Sequence, residues 1–129
     1  MILVDSSVWI DWFRGHPSAE ADRLDQMIGH DDLLIGDLIL TEVLQGFADD
    51  RAFAAARAAL APFPVITIAG PDMALAAARH HRALRRLGVT VRKTIDTLIA
   101  ARCLADGLAL LSSDRDFDAF TAHLGLVRA

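Results

Sequence analysis

Short apolar runs alternate with longer segments of helical periodicity along this chain, and this alternation restricts the folds open to it. Ile2–Val4, Leu108–Leu111 and the β-branched Val65–Ile68, which is the clearest, have the composition of strands. Leu33–Ile35 is either a strand or the lead-in to the next helix, and Leu124–Val127 is a candidate edge strand. Strands that alternate with helices are typical of a mainly parallel sheet covered on both faces. We therefore predict an α/β fold.

The segments between these runs carry start and stop signals for helices. Ser or Thr residues stand at several predicted starts, and Gly or Pro follows several predicted ends. A chain of 129 residues without a linker or repeat suits one domain, residues 1–129. The predicted helices run from a cap at Ser6 or Ser7 to Gly15, from Ser18 to Gly29, from Asp37 to Phe47, from Asp49 to Phe63, from Pro71 to Leu87, from a Thr94 cap to Asp106, and over Asp114–Phe120.

The apolar content does not indicate a membrane protein, although 53% of the residues are hydrophobic. A membrane span needs roughly 20 uninterrupted apolar residues, and the longest weakly polar run, Ala58–Gly70, contains two prolines. Asp5 and Asp11 interrupt the apolar start, so a signal peptide is not expected. The single cysteine, Cys103, excludes an internal disulfide and a cysteine-based zinc site. It fits a reducing compartment, and we expect a cytoplasmic protein.

The charge of the chain is unevenly distributed. The formal net charge is -4, which by itself argues weakly against a nucleic-acid binder. The stretch Arg79–Lys93, however, holds six of the 13 lysine and arginine residues and contains no acid. We expect Arg92 and Lys93, which directly precede the predicted Asp96 helix, to hold phosphates. For Arg79 and Arg82 a solvated helix face is an equally good interpretation.

Four acidic residues occupy positions that are unusual for carboxylates. Asp5 directly follows the first apolar run, and Asp114 follows Leu108–Leu111 after two serines. In open parallel sheets, ligands bind beyond the carboxyl ends of the strands. Asp96 and Glu42 lie on helices among apolar neighbours, where an isolated charge is costly unless it shares a cation. We therefore predict that these four acids converge on a divalent ion.

Oxygen ligands of this kind suit Mg²⁺ or Mn²⁺. We expect Asp5 and Asp96 to bind the ion directly and Glu42 and Asp114 to hold metal-bound water, with Asp116 extending the set. Such a cluster fits hydrolysis of phosphodiester bonds, because the ion orients the phosphate, stabilises its developing charge and activates a water.

Each acid also has a purely structural interpretation. Asp5 can cap the helix that follows it, and Asp114 can be a turn residue. Asp96 lies in the first turn of its helix, where the dipole favours an anion. Glu42 can extend to solvent. The prediction of a metal site depends on the agreement of all four positions.

Four segments resemble the PIN-domain ribonucleases and, within them, the VapC-type toxins of toxin–antitoxin pairs. They cover most of the chain in the order of the family, and the four together are more specific than any one of them. The segments are Leu3–Gly15, Leu40–Phe47, Thr94–Cys103 and Leu110–Phe120.

This resemblance implies a three-layer α/β/α sandwich with a central parallel sheet and a Mg²⁺- or Mn²⁺-dependent endoribonuclease. It also implies a cognate antitoxin that blocks the site, commonly through a basic side chain, a homodimer and a cytoplasmic bacterial setting. By this resemblance, Asp5 and Asp96 match the principal metal-binding aspartates of the family, and Glu42 and Asp114 match the other two core acids. Asp116 matches the second acid of the D-x-D-F element, and Ser6 matches the hydroxyl residue that supports the first aspartate.

One loop departs from the family pattern. Ser112 and Ser113 stand where relatives often have His or Asn before the fourth acid, which puts polar assistance from that loop in doubt. The sequence pattern also allows the roles of Asp114 and Asp116 to be exchanged. For Trp9, Trp12 and Phe13 we expect burial, partly beneath the antitoxin, and for Cys103 a buried, inert position.

Other functions compatible with these residues remain open. A phosphohydrolase or phosphotransferase with an aspartyl nucleophile usually has an acid two residues after the first aspartate, where this chain has Ser7, or a lysine after a later strand. The only lysine, Lys93, precedes a helix. A non-catalytic module with an acidic pocket for a basic partner is a second alternative, and a PIN nuclease that processes RNA without being a toxin is a third.

Overall fold

The computed structural model describes residues 1–129 as a four-stranded parallel sheet flanked by helices, with the strand order β3-β2-β1-β4. The predicted α/β class is confirmed. The elements are β1 (Ile2–Val4), α1 (Ser6–Arg14), α2 (Ala19–Met27), β2 (Leu33–Gly36), α3 (Asp37–Leu44), α4 (Asp50–Leu60), β3 (Val65–Ile66), α5 (Pro71–Arg86), α6 (Thr94–Asp106), β4 (Ala109–Leu111), a 3-10 turn (Arg115–Phe117) and α7 (Asp118–Leu124).

Strand β1 lies at the centre and fixes which chain segments meet at the carboxyl edge of the sheet. Leu3 pairs with Leu34 of β2 and with Leu110 of β4. Because all three strands run in the same direction, the residues that follow them emerge at one edge. This edge therefore receives Asp5 after β1 and Ser112 after β4.

The hydrophobic core combines the strands with the buried faces of the helices. Helix α6 contributes Ile99, Ala100 and Cys103 to it, so the predicted burial of the cysteine is confirmed. Beside α1 lies an aromatic cluster, here defined as Trp9, Trp12, Phe13, Phe47 and Phe63. Its ring centroids are 5.1 Å apart for Trp9 and Phe63 and 5.6 Å apart for Phe13 and Phe47. Trp9 is 0% exposed, as predicted, whereas Trp12 and Phe13 are only partly buried.

Two predicted strands differ from the structure. Of Val65–Ile68, only Val65–Ile66 is a strand, because the Ile68 N–H donates to Asp37 Oδ1 at 2.9 Å instead of to a neighbouring strand. The predicted edge strand Leu124–Val127 is wrong. Leu124 ends α7, and Gly125 then turns the chain with a φ of 80°. Only an isolated bridge between Leu110 and Arg128 follows.

Several helix boundaries shift by a few residues. The N-cap position of α1 is Asp5 and not Ser6 or Ser7, and that of α6 is Lys93 and not Thr94. Helix α3 ends at Leu44, before the predicted Phe47. None of the helices combines the length and the apolar character needed to cross a bilayer.

Candidate active site

A cleft of about 420 Å³ opens at the carboxyl edge of the sheet, and all four predicted core acids line it. Residues from α1, α3, α6 and the segments that follow β1 and β4 come together there, although they are far apart in sequence. The lining residues are Asp5, Ser6, Ser7, Ile10, Glu42, Lys93, Thr94, Ile95, Asp96 and Asp114.

Asp5 is held by hydroxyl groups and does not cap its helix. Its side chain makes no capping hydrogen bond, although it occupies the N-cap position of α1. Instead, Oδ2 accepts hydrogen bonds from Ser7 Oγ at 2.8 Å and from Ser112 Oγ at 3.0 Å. The Asp5 N–H donates to the Leu111 carbonyl at 2.9 Å, and the residue is only 4% exposed. The structure thus fixes a buried carboxylate whose Oδ1 faces no hydrogen-bond donor.

Asp96 is the least satisfied group in the cleft. It is 7% exposed, and its Oδ2 is buried without any hydrogen-bond partner. Burial and the nearby negative charge of Asp5 raise the pKa of Asp96 to about 7, and the positive charge of Lys93 opposes this rise. The first-turn position in α6 does not supply a donor to the carboxylate. A buried oxygen without a partner is what a cation site requires before the cation binds.

Glu42 projects from α3 toward the same cleft and is partly buried. Its Oε1 accepts a 3.4 Å hydrogen bond from Ser6 Oγ. Burial and the charge of Asp5 raise the pKa of Glu42. Ser6 was expected to support Asp5, but its hydroxyl contacts Glu42, and the hydroxyls of Ser7 and Ser112 take the place beside Asp5.

Asp114 is both a turn residue and a member of the acidic group. Its Oδ1 accepts a 2.9 Å hydrogen bond from the Asp116 N–H, which starts the 3-10 turn. Carboxylate oxygens of Asp96, Asp114 and Asp116 lie within 4.8 Å of one another. The structure therefore brings Asp116 to the cluster, although it lies at the exposed outer side.

Sequence reasoning missed the part played by Ser112. The Ser112 hydroxyl donates to Asp5 and accepts from the Asp114 N–H at 3.0 Å, so it connects two of the acids. Its carbonyl accepts a 2.8 Å hydrogen bond from Arg128 Nη2. Polar assistance from this loop is thus present, and the Ser112 hydroxyl supplies it. The signal was visible in the sequence as two serines directly after an apolar strand.

The two predicted phosphate-binding residues have different surroundings. Lys93 Nζ lies 3.4 Å from Asp114 Oδ2 and 3.6 Å from Asp116 Oδ2, and the side chain is 61% exposed. The negative charges of Asp114 and Asp96 raise the pKa of Lys93. Arg92 is exposed and forms no ion pair. Binding of phosphate by either residue stays a prediction.

The donor set of the cleft fits a divalent metal ion. It consists of carboxylates and hydroxyls, without histidine or cysteine, and such oxygen donors favour hard cations. The unpartnered Oδ2 of Asp96 supplies a buried negative atom that a cation would satisfy. The acidic cluster can therefore hold a divalent metal.

Comparison with known proteins agrees with this geometry. The family model for the PIN domain matches residues 2–122. Ribonuclease VapC11 of Mycobacterium tuberculosis is 32% identical over 120 residues, which cover 92% of this chain and 90% of the relative.

Two solved structures share the fold at lower identity. VapBC2 of Rickettsia felis, bound to a DNA fragment from its promoter, aligns with a TM-score of 0.77 and 16% identity over 100% of this chain and 98% of its own. VapC20 of Mycobacterium tuberculosis, described as a sarcin-ricin loop cleaving toxin, aligns with a TM-score of 0.70 and 19% identity over 100% of this chain and 98% of its own. From the matched family model and the VapC relative, the chain belongs to the PIN domain family.

Proposed function

We propose that this protein is a metal-dependent endoribonuclease that uses Mg²⁺ or Mn²⁺ and acts as the toxin of a toxin–antitoxin pair. The observation that carries the proposal is the buried, unpartnered Asp96 Oδ2 in a cleft that also holds Asp5, Glu42 and Asp114. Ribonuclease VapC11, a relative that aligns over nearly the whole chain, supports the assignment of the activity to RNA.

The proposed role of each carboxylate follows from its burial and its hydrogen bonds. Asp5 and Asp96 are the proposed direct metal ligands, because both are buried and each has an oxygen without a hydrogen bond. When bound, the ion supplies Lewis-acid stabilisation of the phosphate and lowers the pKa of a coordinated water. Asp114 and Asp116, at the outer side, would hold water that is bound to the ion.

Glu42 is suited to accept the proton of the attacking water. Ser6 holds its Oε1, which leaves Oε2 free toward the cleft. Its raised pKa makes the carboxylate a stronger base than an ordinary glutamate. We therefore propose Glu42 as the general base that removes a proton from the attacking water.

Positive charge near the cleft guides the RNA backbone to an acidic centre that would otherwise repel it. Arg92 is the better candidate for a phosphate contact, because its guanidinium is exposed and unpaired. Lys93 is also proposed at the substrate side of the cleft, but its ammonium is engaged by Asp114 and Asp116 in the absence of ligand.

The partners follow from the relatives. VapBC-5 of Mycobacterium tuberculosis, which shares the fold, is described as a member of the VapBC family of toxin–antitoxin systems. We propose that a cognate antitoxin covers this cleft with a basic side chain. We also propose a homodimer and a cytoplasmic location. The contacts of Lys93 favour the alternative of a non-catalytic pocket for a basic partner, since they show that the acids accept an ammonium group.

The test uses purified wild type, Asp96→Asn and a matched control, Asp106→Asn, on total RNA. Asp106 lies on the same helix but is exposed, outside the cleft, where it pairs with Arg102. We expect wild type and Asp106→Asn to cut RNA with Mg²⁺ or Mn²⁺ and to stop when EDTA is added. Asp96→Asn should fold and leave RNA intact. Cleavage by Asp96→Asn at the wild-type rate would contradict the mechanism.

A growth assay separates a toxin from an RNA-processing nuclease. Expression of wild type should arrest bacterial growth, Asp96→Asn should not, and the product of the neighbouring gene should relieve the arrest. Metal-dependent cleavage in vitro without growth arrest would favour the processing nuclease. Absence of cleavage together with binding of a basic protein would favour the non-catalytic pocket.

A further inference from the structure

The acids of the cleft form two groups that share one residue. The inner group consists of Asp5, Glu42 and Asp96, which line the same cleft. The negative charge of Asp5 raises the pKa of both of the other carboxyl groups. The outer group consists of Asp96, Asp114 and Asp116, whose oxygens lie within 4.8 Å of one another. Asp96 belongs to both groups, and its Oδ2 is buried without a partner.

Only the outer group already contacts a positive charge. Lys93 Nζ lies 3.4 Å from Asp114 Oδ2 and 3.6 Å from Asp116 Oδ2. Lys93 occupies the N-cap position of α6, three residues before Asp96, so the helix start places its side chain over the cluster. No arginine or lysine is paired with an acid of the inner group.

We propose that Lys93 is the built-in cation of the outer group and stands where a second metal ion would bind. Many phosphodiesterases place two divalent ions about 3.5–4 Å apart, bridged by shared ligands, and Asp96 is placed to bridge the two groups here. With the ammonium on Asp114 and Asp116, the chain binds one divalent ion, at the inner group. This inference rests on the proposed function for the presence of that ion.

Charge balance supports this assignment. The five carboxylates of the two groups carry more negative charge than one divalent ion neutralises, and close like charges disfavour one another. The ammonium removes part of this excess without occupying the inner group. When the ammonium is removed, Asp96, Asp114 and Asp116 remain close together and uncompensated, which is the setting that attracts a second ion.

The test counts bound ions. Mn²⁺ is titrated into wild type, Lys93→Met and Lys93→Arg, with free Mn²⁺ followed by electron paramagnetic resonance and the heat of binding by calorimetry. Lys93→Met keeps most of the side-chain length and removes the charge, whereas Lys93→Arg keeps the charge. Arg92→Met is the matched control, because it removes an adjacent positive charge that pairs with no acid.

We expect wild type, Lys93→Arg and Arg92→Met to bind one Mn²⁺ per chain. Lys93→Met should bind a second ion at least tenfold more tightly than wild type does. Circular dichroism checks that every variant is folded, which the exposure of Lys93 favours. The inference is overturned if wild type binds two ions or none, if Lys93→Met binds as wild type does, or if Arg92→Met gains the same second ion.

RNA cleavage by the same preparations separates the two proposals. A wild-type chain that binds one ion and leaves RNA intact contradicts the proposed nuclease but leaves the placement of Lys93 standing. A wild-type chain that cuts RNA while Lys93→Met shows unchanged Mn²⁺ binding contradicts the placement of Lys93 and leaves the nuclease standing.

Discussion

Helix α1 lies between two regions of opposite character, the acidic cleft at its start and the aromatic cluster along its length. In the aromatic cluster, Trp9 is completely buried and packs against the rings of Trp12 and Phe63, although its Nε1 has no hydrogen-bond partner. In the cleft, Asp5 and Asp96 are nearly as buried, but burial and the negative charge of Asp5 raise the pKa of Asp96 and so disfavour its charged form. One region stabilises the fold, and the other is held in place at the expense of stability.

Hydrogen bonds at the edge of the sheet hold the acidic residues of the cleft in place despite the repulsion between their charges. The Asp5 backbone is fixed between β1 and β4 by the hydrogen bond from its N–H to Leu111, and the Asp114 backbone by its bond to Ser112. Moving the Asp5 or Asp114 backbone away from the cleft would therefore break these hydrogen bonds. Strain of this kind is typical of binding sites prepared for a ligand that the fold alone does not satisfy.

Loss of Trp9 should have the largest effect on stability. Trp9→Ala leaves a cavity among Trp12, Phe13 and Phe63, and we expect the free energy of unfolding to fall by about 3–5 kcal/mol. Urea unfolding followed by circular dichroism measures this. Trp12→Ala is the matched control, with a smaller loss because Trp12 is only partly buried. A loss below that of Trp12→Ala would contradict the stabilising role of the cluster.

Asp96→Asn should raise the free energy of unfolding, and the size of this increase should depend on pH. The pKa of Asp96 is about 7 in the folded chain against an ordinary value of 3.8, so the folded state holds the proton more tightly than the unfolded state does. The contribution of Asp96 to stability therefore falls as pH rises from about 4 to about 7, and the penalty is complete above that.

The measurement compares metal-free wild type and Asp96→Asn by urea unfolding at pH 5 and pH 8. At pH 8 the variant should be more stable by about 2 kcal/mol, and the difference between the two proteins should shrink toward pH 5. If the free energies of unfolding of the variant and wild type differ by the same amount at pH 5 and pH 8, the charge of Asp96 is not the cause of the difference.

Ser112→Ala should weaken metal binding more than it changes stability. The hydroxyl orients Asp5 and fixes the Asp114 backbone, and residues that orient metal ligands typically contribute about 10-fold or more to affinity. Mn²⁺ titration measures this effect. Ser113→Ala is the control, because the Ser113 side chain is exposed and forms no hydrogen bond. Equal Mn²⁺ affinities of the two variants would contradict the role given to Ser112.

Arg92→Ala should have the smallest effect, confined to RNA binding. In a Glu42→Gln background that cannot cut, anisotropy of a labelled RNA is measured over a salt series. Removal of one phosphate contact should make the salt dependence shallower by about one unit of slope. Arg79→Ala, which removes an exposed charge on α5, should leave the slope closer to wild type. Unchanged binding by Arg92→Ala would exclude the phosphate contact.

The sequence predicts where the acidic residues lie better than it predicts which side chains form hydrogen bonds to them. Asp5, Glu42, Asp96 and Asp114 line one cleft, as strand ends and helix spacing predict, because backbone periodicity and strand direction are local properties. The hydroxyls beside Asp5 come from Ser7 and Ser112, 105 residues apart. Which of several adjacent serines reaches a carboxylate depends on rotamers and register that local patterns do not fix.

The errors in the fold have a similar origin. The β-branched composition of Val65–Ile68 favours a strand, but two long-range hydrogen bonds hold Ile68 in a loop. Its N–H donates to Asp37 Oδ1, and its carbonyl accepts from Arg102 Nε. The apolar residues of Leu124–Val127 do not form a strand, since Gly125 ends α7 in a left-handed turn and the chain then meets β4 only in the isolated bridge between Arg128 and Leu110. In both segments the tertiary contacts outweigh the local propensity.

The central claim is that the cleft holds like charges together until a divalent ion neutralises them. Thermal unfolding at pH 8 with EDTA or with added Mg²⁺ or Mn²⁺ tests it directly, because a ligand that binds only the folded state raises the melting temperature. Wild type and Asp106→Asn should gain stability with metal, and Asp96→Asn should gain little. The same gain in all three proteins, or no gain in wild type, would contradict the account.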